Sequence, residues 1–591
     1  MPPTVSRRAV IAGGAALGGV TLLPATAQAA APAGINGWVT STMARMTLEE
    51  KIGQLFWQDV YGGSATTPDQ RNVPLYGVAT PAEVVAKYHL GGVIYFAWSD
   101  NVTDPTQIAT LSNGLQQASL DAAAKARVPL LVATDQEMGV VTRFGPPATQ
   151  FPGSMALGAT RSAAYARSAA AITGQELRAV GINTNFAPDS DVNVNALNPV
   201  IGVRSFGSRP ELVAELAAAQ VRGYQEDGNV SSSTKHFPGH GDTAVDSHTG
   251  LPVITHTRAE WERLDAPPFR AAIAAGVDMV MTAHLVVPAL DSSGDPATLS
   301  RPILTGVLRG ELGYEGVIVT DSLAMEGVRV MYGDGEVAVR ALLAGVDILL
   351  MPPAMDVAWN AVVDAVRSGR ISRRDLDAKV RRILECKFRR GIVSEPMVDV
   401  AAIPSVVGTA AHQAVADGIT DHTITVVRND ARVLPLRPAG RRILVTGYGV
   451  TTTQLVSQEL AKRGATTQVL QTGTAPTSAQ ITSAETAARA SDTVVVLTNK
   501  AWANPAQVTL VKRLLATGVP VVVVAVRDPY DINRFTEATT FVATYSYSPV
   551  TPRGLVRALT GEVSPTGKLP VDIPTADNQA VLHPYGHGLT Y

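Results

Sequence analysis

Between residues 235 and 248 the chain reads KHFPGHGDTAVDSH, setting a lysine, three histidines and two aspartates around two glycines and a proline. Such a run could ligate a metal, exchange protons, or form a solvated loop. His236 and His240 stand four apart, as in helical zinc sites, but Pro238 and Gly239 lie between them and oppose a helix. With no thiolate nearby, no metal and no cofactor is expected. Lys235 and His236 close a strand that reads as buried, where a cation needs a partner or a ligand, and so read as donors to substrate hydroxyls. The glycines that follow suit a loop that closes over substrate, with His240 stabilising it. Asp246 and His248 are two residues apart, so the carboxylate could hold one imidazole nitrogen and leave the other to exchange a proton near neutral pH.

A complement to that pair stands in VIVTDSLAM, residues 317–325, where Asp321 ends an apolar strand. The spacing fits a helix cap shared with Ser322 as well as it fits a catalytic carboxylate. An ionised carboxylate facing a proton donor is the minimum for retaining glycoside hydrolysis, with His248 here replacing the usual second carboxylic acid. Asp135 ends another strand, with Arg143 shortly after it, and Arg204 lies in NPVIGVRSFG, residues 198–207. Asp accepting from hydroxyls while Arg and Lys donate is how a pyranose is gripped; for Arg143, a structural pair with an aspartate reads equally well.

These residues need a scaffold that brings strand ends together. From about Met46 to Gly391, β-branched runs alternate with Ala/Leu/Arg segments of helical spacing; the runs occupy 91–100, 128–137, 182–191, 231–240, 276–285, 315–325 and 345–353. Near-continuous apolar strands between helices predict a parallel sheet covered on both faces, and seven units plus a weak one predict an α/β fold of the (β/α)₈ TIM type over 36–393. Asp135, Asp189, Asp191, Lys235, His236, His284 and Asp321 all fall where runs stop, so a barrel would gather them on one rim. Residues 394–412 break the rhythm and read as a linker. Runs at 424–430, 441–449, 491–500, 518–529 and 540–546 then predict a smaller α/β sandwich domain over 413–591. VTGYGV, 445–450, lacks the glycine spacing of a dinucleotide fingerprint and reads as a structural turn.

The bulk properties agree. A chain of 591 residues exceeds one core, and with 17% charged residues and a net charge of −2 it has no nucleic-acid footprint. Residues 1–29 carry Arg7 and Arg8, a Gly/Ala-rich apolar run from Ala9 to Leu23, and small residues at Ala27 and Ala29. That pattern predicts a twin-arginine export signal, a secreted or cell-wall-associated product, and no stable membrane span in the mature form, because a span needs roughly 20 apolar residues. Cys386, the single cysteine, reads as a helix or core residue.

Together, KHFPGHGDTAVDSHTGLP, VIVTDSLAM, NPVIGVRSFG, GEVSPTGKLPVDIP and HPYGHGLTY resemble glycoside hydrolase family 3 in its β-N-acetylglucosaminidase branch, from about residue 40 to the C-terminus. The resemblance implies removal of one non-reducing β-linked N-acetylglucosamine, with retention, from a small carbohydrate such as a chitooligosaccharide or a muropeptide. It assigns the nucleophile to Asp321, the proton donor to His248 with Asp246 in support, and sugar binding to Asp135, Arg143, Arg204, Lys235 and His236. Other family 3 glucosidases take their acid from the second domain and lack the Asp-Ser-His element. The segment after Asp135 departs from the pattern: it reads DQEMGVV, so Met138 and Val141 stand in a stretch where the family has a glycine and an arginine. Bulk at Met138 is expected to crowd the sugar pocket. A β-glucosidase, a phosphate-accepting glycosidase and an inactive sugar-binding protein are the other readings.

Overall fold

The computed structural model describes residues 34–122 and 125–591, so the expected export signal lies outside the described residues. Eight parallel strands form the first domain: β1 (Phe56–Asp59), β2 (Gly92–Ile94), β3 (Leu131–Thr134), β4 (Thr184–Asn185), β5 (Ser231–Phe237), β6 (Met279–Thr282), β7 (Val317–Thr320) and β8 (Leu349–Leu350). They pair in chain order, β8 returns to β1, and Ile348 bridges to Val319 of β7, which closes the barrel. Every strand residue is buried, since the helices cover the outside and side chains fill the inside.

The seven runs expected from the sequence are β2 to β8, and the weak unit is β1. Polar Gln58 and Asp59 disguise β1. Both are buried, and Gln58 Nε2 donates to Tyr76 Oη at 3.1 Å. Helices between strands begin where the sequence supplies caps, as at Thr80 and Thr257, each in a reciprocal pair with a glutamate three residues on. Cys386 lies fully buried in the helix Arg373–Arg389, and burial pushes its thiol up to about 12, which leaves it inert.

A six-stranded sheet forms the second domain: β9 (Thr425–Asn429), β10 (Arg442–Tyr448), β11 (Thr466–Thr472), β12 (Thr493–Thr498), β13 (Val521–Ala525) and β14 (Thr540–Ala543), in the order β11-β10-β12-β13-β14-β9. Only β9 runs antiparallel, against β14. Near the end of β10, a Cβ at Gly447 would stand 2.1 Å from the Leu497 carbonyl oxygen, so this glycine serves strand packing. One apolar cluster of this domain takes in Met155, Ala156, Ala159 and Val203 from the barrel half, so the second sheet is packed onto the barrel through a shared core.

Candidate active site

The strand ends converge as the alternation of runs requires. Asp135 follows β3, Asp189 and Asp191 follow β4, Lys235 and His236 end β5, His284 follows β6 and Asp321 follows β7. Strand alternation would point Lys235 and His236 to opposite faces, but the ladder between β5 and β6 shifts register between Thr234 and Phe237. Both residues line one cavity of about 180 Å³, together with Asp135, Glu137, Arg143, Arg204, His248 and Asp321.

The floor is a buried charge network. Lys235 Nζ donates to Asp135 Oδ1 at 2.9 Å and lies 2.6 Å from Glu137 Oε1, while Arg204 holds both oxygens of Glu137 at 2.8 and 2.9 Å. Burial alone would raise the Glu137 carboxyl and lower the Lys235 ammonium. The opposite charges outweigh burial in both cases, so Glu137 is held far below the carboxylate range and Lys235 is raised above its ordinary value. An ammonium has three donors, so Lys235 keeps one for a ligand. Asp135 Oδ2 stands 3.8 Å from Arg143 and remains available to a hydroxyl. The sequence alone does not single out Glu137; its local signal is its place two residues after Asp135.

His236 departs from its expected role. Its Nδ1 meets Asp191 Oδ2 at 2.7 Å and its Nε2 meets Arg204 Nη2 at 3.3 Å. Arginine only donates, so Nε2 accepts, Nδ1 donates to Asp191, and the ring has no free donor for a sugar hydroxyl. Burial disfavours the Asp191 charge, but the His236 ring outweighs it and lowers this carboxyl. Burial, with Asp191 beside it, pushes Asp189 well above the usual range. Asp189, Asp191 and His236 are close enough to share an ion. The Arg204 guanidinium, 3.8 Å from Asp189, already supplies the positive charge there.

Asp321 does not hold a helix end. The next helix starts at Glu326 with Met325 before it, and Asp321 Oδ1 accepts the Ser322 N–H at 2.7 Å while the side chain lines the cavity. Burial would raise its carboxyl, but His236, His284, the Ser322 N–H and Lys235 together hold it below its ordinary value, so it stays ionised. His284 Nε2 donates to the Ser322 carbonyl at 2.9 Å and thereby fixes the turn that aims Asp321.

The loop after β5 is pinned through its first half. A Cβ at Gly241 would lie 1.8 Å from the Val192 carbonyl oxygen, Trp261 Nε1 donates to the Pro238 carbonyl at 2.9 Å, and both His240 nitrogens are engaged, with Thr243 at 2.8 Å and Ser247 at 3.0 Å. Burial lowers His240 to about 4, so it is neutral. The glycines thus permit close approach, and freedom along the whole loop is not what they confer. The loop's exposed tip carries the Asp246–His248 pair: His248 Nδ1 meets Asp246 Oδ1 at 2.7 Å, and the ring lies at the rim of the cavity. A second clamp, unforeseen from the sequence, is His256, placed between Asp242 of the loop at 3.0 Å and Asp265 at 2.8 Å.

Comparison with known proteins settles the family. Residues 47–386 match the glycosyl hydrolase family 3 N terminal domain, and residues 424–591 match its C-terminal domain. The chain belongs to glycosyl hydrolase family 3. Among its relatives, the beta-hexosaminidase A of Pseudoalteromonas piscicida is 38% identical over 67% of this chain and 70% of its own length. A beta-N-acetylglucosaminidase/beta-glucosidase of Cellulomonas fimi is 30% identical over 90% of this chain and 95% of its own. The solved family 3 beta-N-acetylglucosaminidase from Paenibacillus sp. str. FPU-7 superposes with a TM-score of 0.80 at 37% identity, covering 90% of this chain and 99% of that one.

Membership of family 3 makes the chain a glycoside hydrolase and gives meaning to its departures. Met138 has φ of 70°, the left-handed region that a glycine adopts freely, and its side chain is buried among Phe151, Leu157, Phe206 and Val550. It therefore packs away from the cavity, whose lining does not include it, and does not crowd it. Val141, in contrast, lines the cavity. No helix among the described residues is long and apolar enough to cross a membrane.

Proposed function

We propose that this protein is an exo-acting β-N-acetylglucosaminidase that works with retention through a covalent glycosyl-enzyme on Asp321. The observation that carries the reading is that an ionised carboxylate and a carboxylate-held imidazole reach one small polar cavity from different loops. Asp321 attacks the anomeric carbon, and the bond to the departing oxygen breaks as His248 Nε2–H protonates it. His248 then takes a proton from water, whose oxygen displaces Asp321 from the same carbon. Asp246 holds Nδ1–H throughout, so the mobile proton resides on Nε2. Lys235, Asp135, Arg143 and Arg204 grip one sugar ring, with Glu137 fixing the two cations and His236 bracing Arg204. The limited volume of the cavity favours removal of one terminal residue.

The names of the relatives support N-acetylglucosamine as the sugar; chitooligosaccharides or cell-wall fragments are the sources we propose for it. A second reading, a mixed β-glucosidase activity, is favoured by the printed name of the Cellulomonas fimi relative. Turnover of nitrophenyl β-N-acetylglucosaminide and β-glucoside by residues 30–591 tests this: the first should be the faster substrate, and a faster glucoside would overturn the sugar assignment. Product analysis with and without phosphate separates hydrolysis from phosphate transfer. The twin-arginine pattern supports export, and sequencing the N-terminus of protein recovered outside the cell should find it near Ala30.

A further inference from the structure

The second domain brings a cation to the edge of the pocket, near the loop that carries Asp246 and His248. Lys500 follows β12, and its Nζ donates across the domain boundary to the Pro199 carbonyl at 3.4 Å. The next residue, Val200, lines the sugar cavity. The ammonium is partly buried and within electrostatic reach of Asp246, the carboxylate that holds His248. Among the described residues, Lys500 makes no ion pair within 4 Å. Both nearby carboxylates are otherwise engaged: Asp246 with His248 at 2.7 Å, and Asp528 with Trp502 Nε1 at 2.9 Å and Arg527 Nε at 3.7 Å. Arg527, also partly buried, leaves its Nε without a hydrogen-bond partner. A partly buried ammonium with one long hydrogen bond is incompletely compensated, and an anion beside it would be favourable.

We propose that Lys500 binds a carboxylate on the aglycone, so that the enzyme prefers substrates whose leaving group is anionic. This rests on the glycosidase reading above and deepens it. The sugar being cleaved sits on Lys235, Asp135 and Arg204; the group beyond the scissile oxygen must pass His248, and Lys500 stands on that side. A neutral polysaccharide offers this ammonium only hydroxyls, whereas an amino sugar bearing an acidic ether, or a sugar carrying a peptide carboxylate, offers a full charge. The charge belongs to the substrate's second residue, so selectivity should appear in the aglycone and not in the sugar released.

The test compares two aryl β-N-acetylglucosaminides of similar leaving ability, one with a ring carboxylate and one with the matching carboxamide. The wild-type ratio of kcat/KM, carboxylate over carboxamide, should be about five to ten at low salt and should fall as salt is added. In Lys500→Met the ratio should fall to about one, whereas Lys512→Met, an exposed change of equal charge elsewhere on the second domain, should keep the wild-type ratio. A ratio near one in the wild type, or a preference unaltered by Lys500→Met, overturns the proposal, and hydrolysis of the carboxamide substrate shows that the glycosidase reading survives. Phosphate-dependent formation of the sugar 1-phosphate, lost in Lys500→Met with no carboxylate preference, would also overturn it, because the anion would then be the acceptor.

Discussion

Arg204 and Glu137 form a two-point ion pair inside the pocket, at 2.9 Å through Nε and 2.8 Å through Nη2, with Lys235 closing on the same carboxylate. Glu137→Gln leaves two buried cations short of a counter-charge, and breaking such a pair costs about 3–5 kcal/mol. The variant should melt well below wild type in calorimetry at neutral pH. Because the Glu137 carboxyl is depressed in the folded state, its stabilisation is complete above its ordinary value of 4.5 and is lost as the pH falls below it. The gap between the two melting temperatures should therefore start to narrow below about pH 4.5 and keep shrinking down to about pH 3. A gap that stays constant over that range would contradict the assignment.

His256 ties the loop after β5 to the barrel and should do so in a pH-dependent way. Hydrogen bonds that it donates to Asp242 and to Asp265 push it up to about 10, against an ordinary 6.5. A raised folded value means that the stabilisation is full below about 6.5 and is lost as the pH rises through about 10. Protection from hydrogen exchange at residues 239–248, taken relative to the intrinsic rate at each pH, should fall over that interval in wild type, whereas in His256→Gln it should be low at every pH.

If His248 gives its proton to the departing oxygen, its removal should matter in proportion to the need for that proton. His248→Ala should slow aryl glycosides with poor leaving groups by about 10²–10⁴-fold and leave dinitrophenyl substrates much less affected. Equal slowing of both would move the donor elsewhere. Asp246→Asn, which leaves Nδ1 without its carboxylate, should follow the same pattern with smaller amplitude.

The aglycone preference assigned to Lys500 completes the set. It is read as a ratio, so a variant of reduced overall activity still reports on it.

The sequence exposes the fold where side-chain pattern and environment agree. β3, β5, β6 and β7 are runs of buried residues that end in Asp135, Lys235, His284 and Asp321, and periodicity shows both the strand and its polar end. β1 hides because it buries Gln58 and Asp59, and burial pushes Asp59 up to about 6; their partner Tyr76, which accepts from Gln58 and donates to Asp59, is brought near by the fold. β11 hides because it lies at the sheet edge and alternates with threonine and glutamine. In the site, the Asp246–His248 pair is local and therefore visible. Glu137 and His256 are defined by partners that only the fold brings near, Arg204 and Lys235 for the one, Asp242 and Asp265 for the other. The same distance in sequence conceals that Arg204 and Asp191 already occupy the His236 ring, which position alone offers to substrate.

The central claim is that Asp321 attacks the anomeric carbon. Incubation with a fluorinated N-acetylglucosamine analogue that stalls the second step, followed by peptide mapping in the mass spectrometer, tests it most directly. A sugar adduct on Asp321, absent from Asp321→Ala, is the predicted result; an adduct on any other side chain, or Asp321→Ala protein that still turns over, would contradict it.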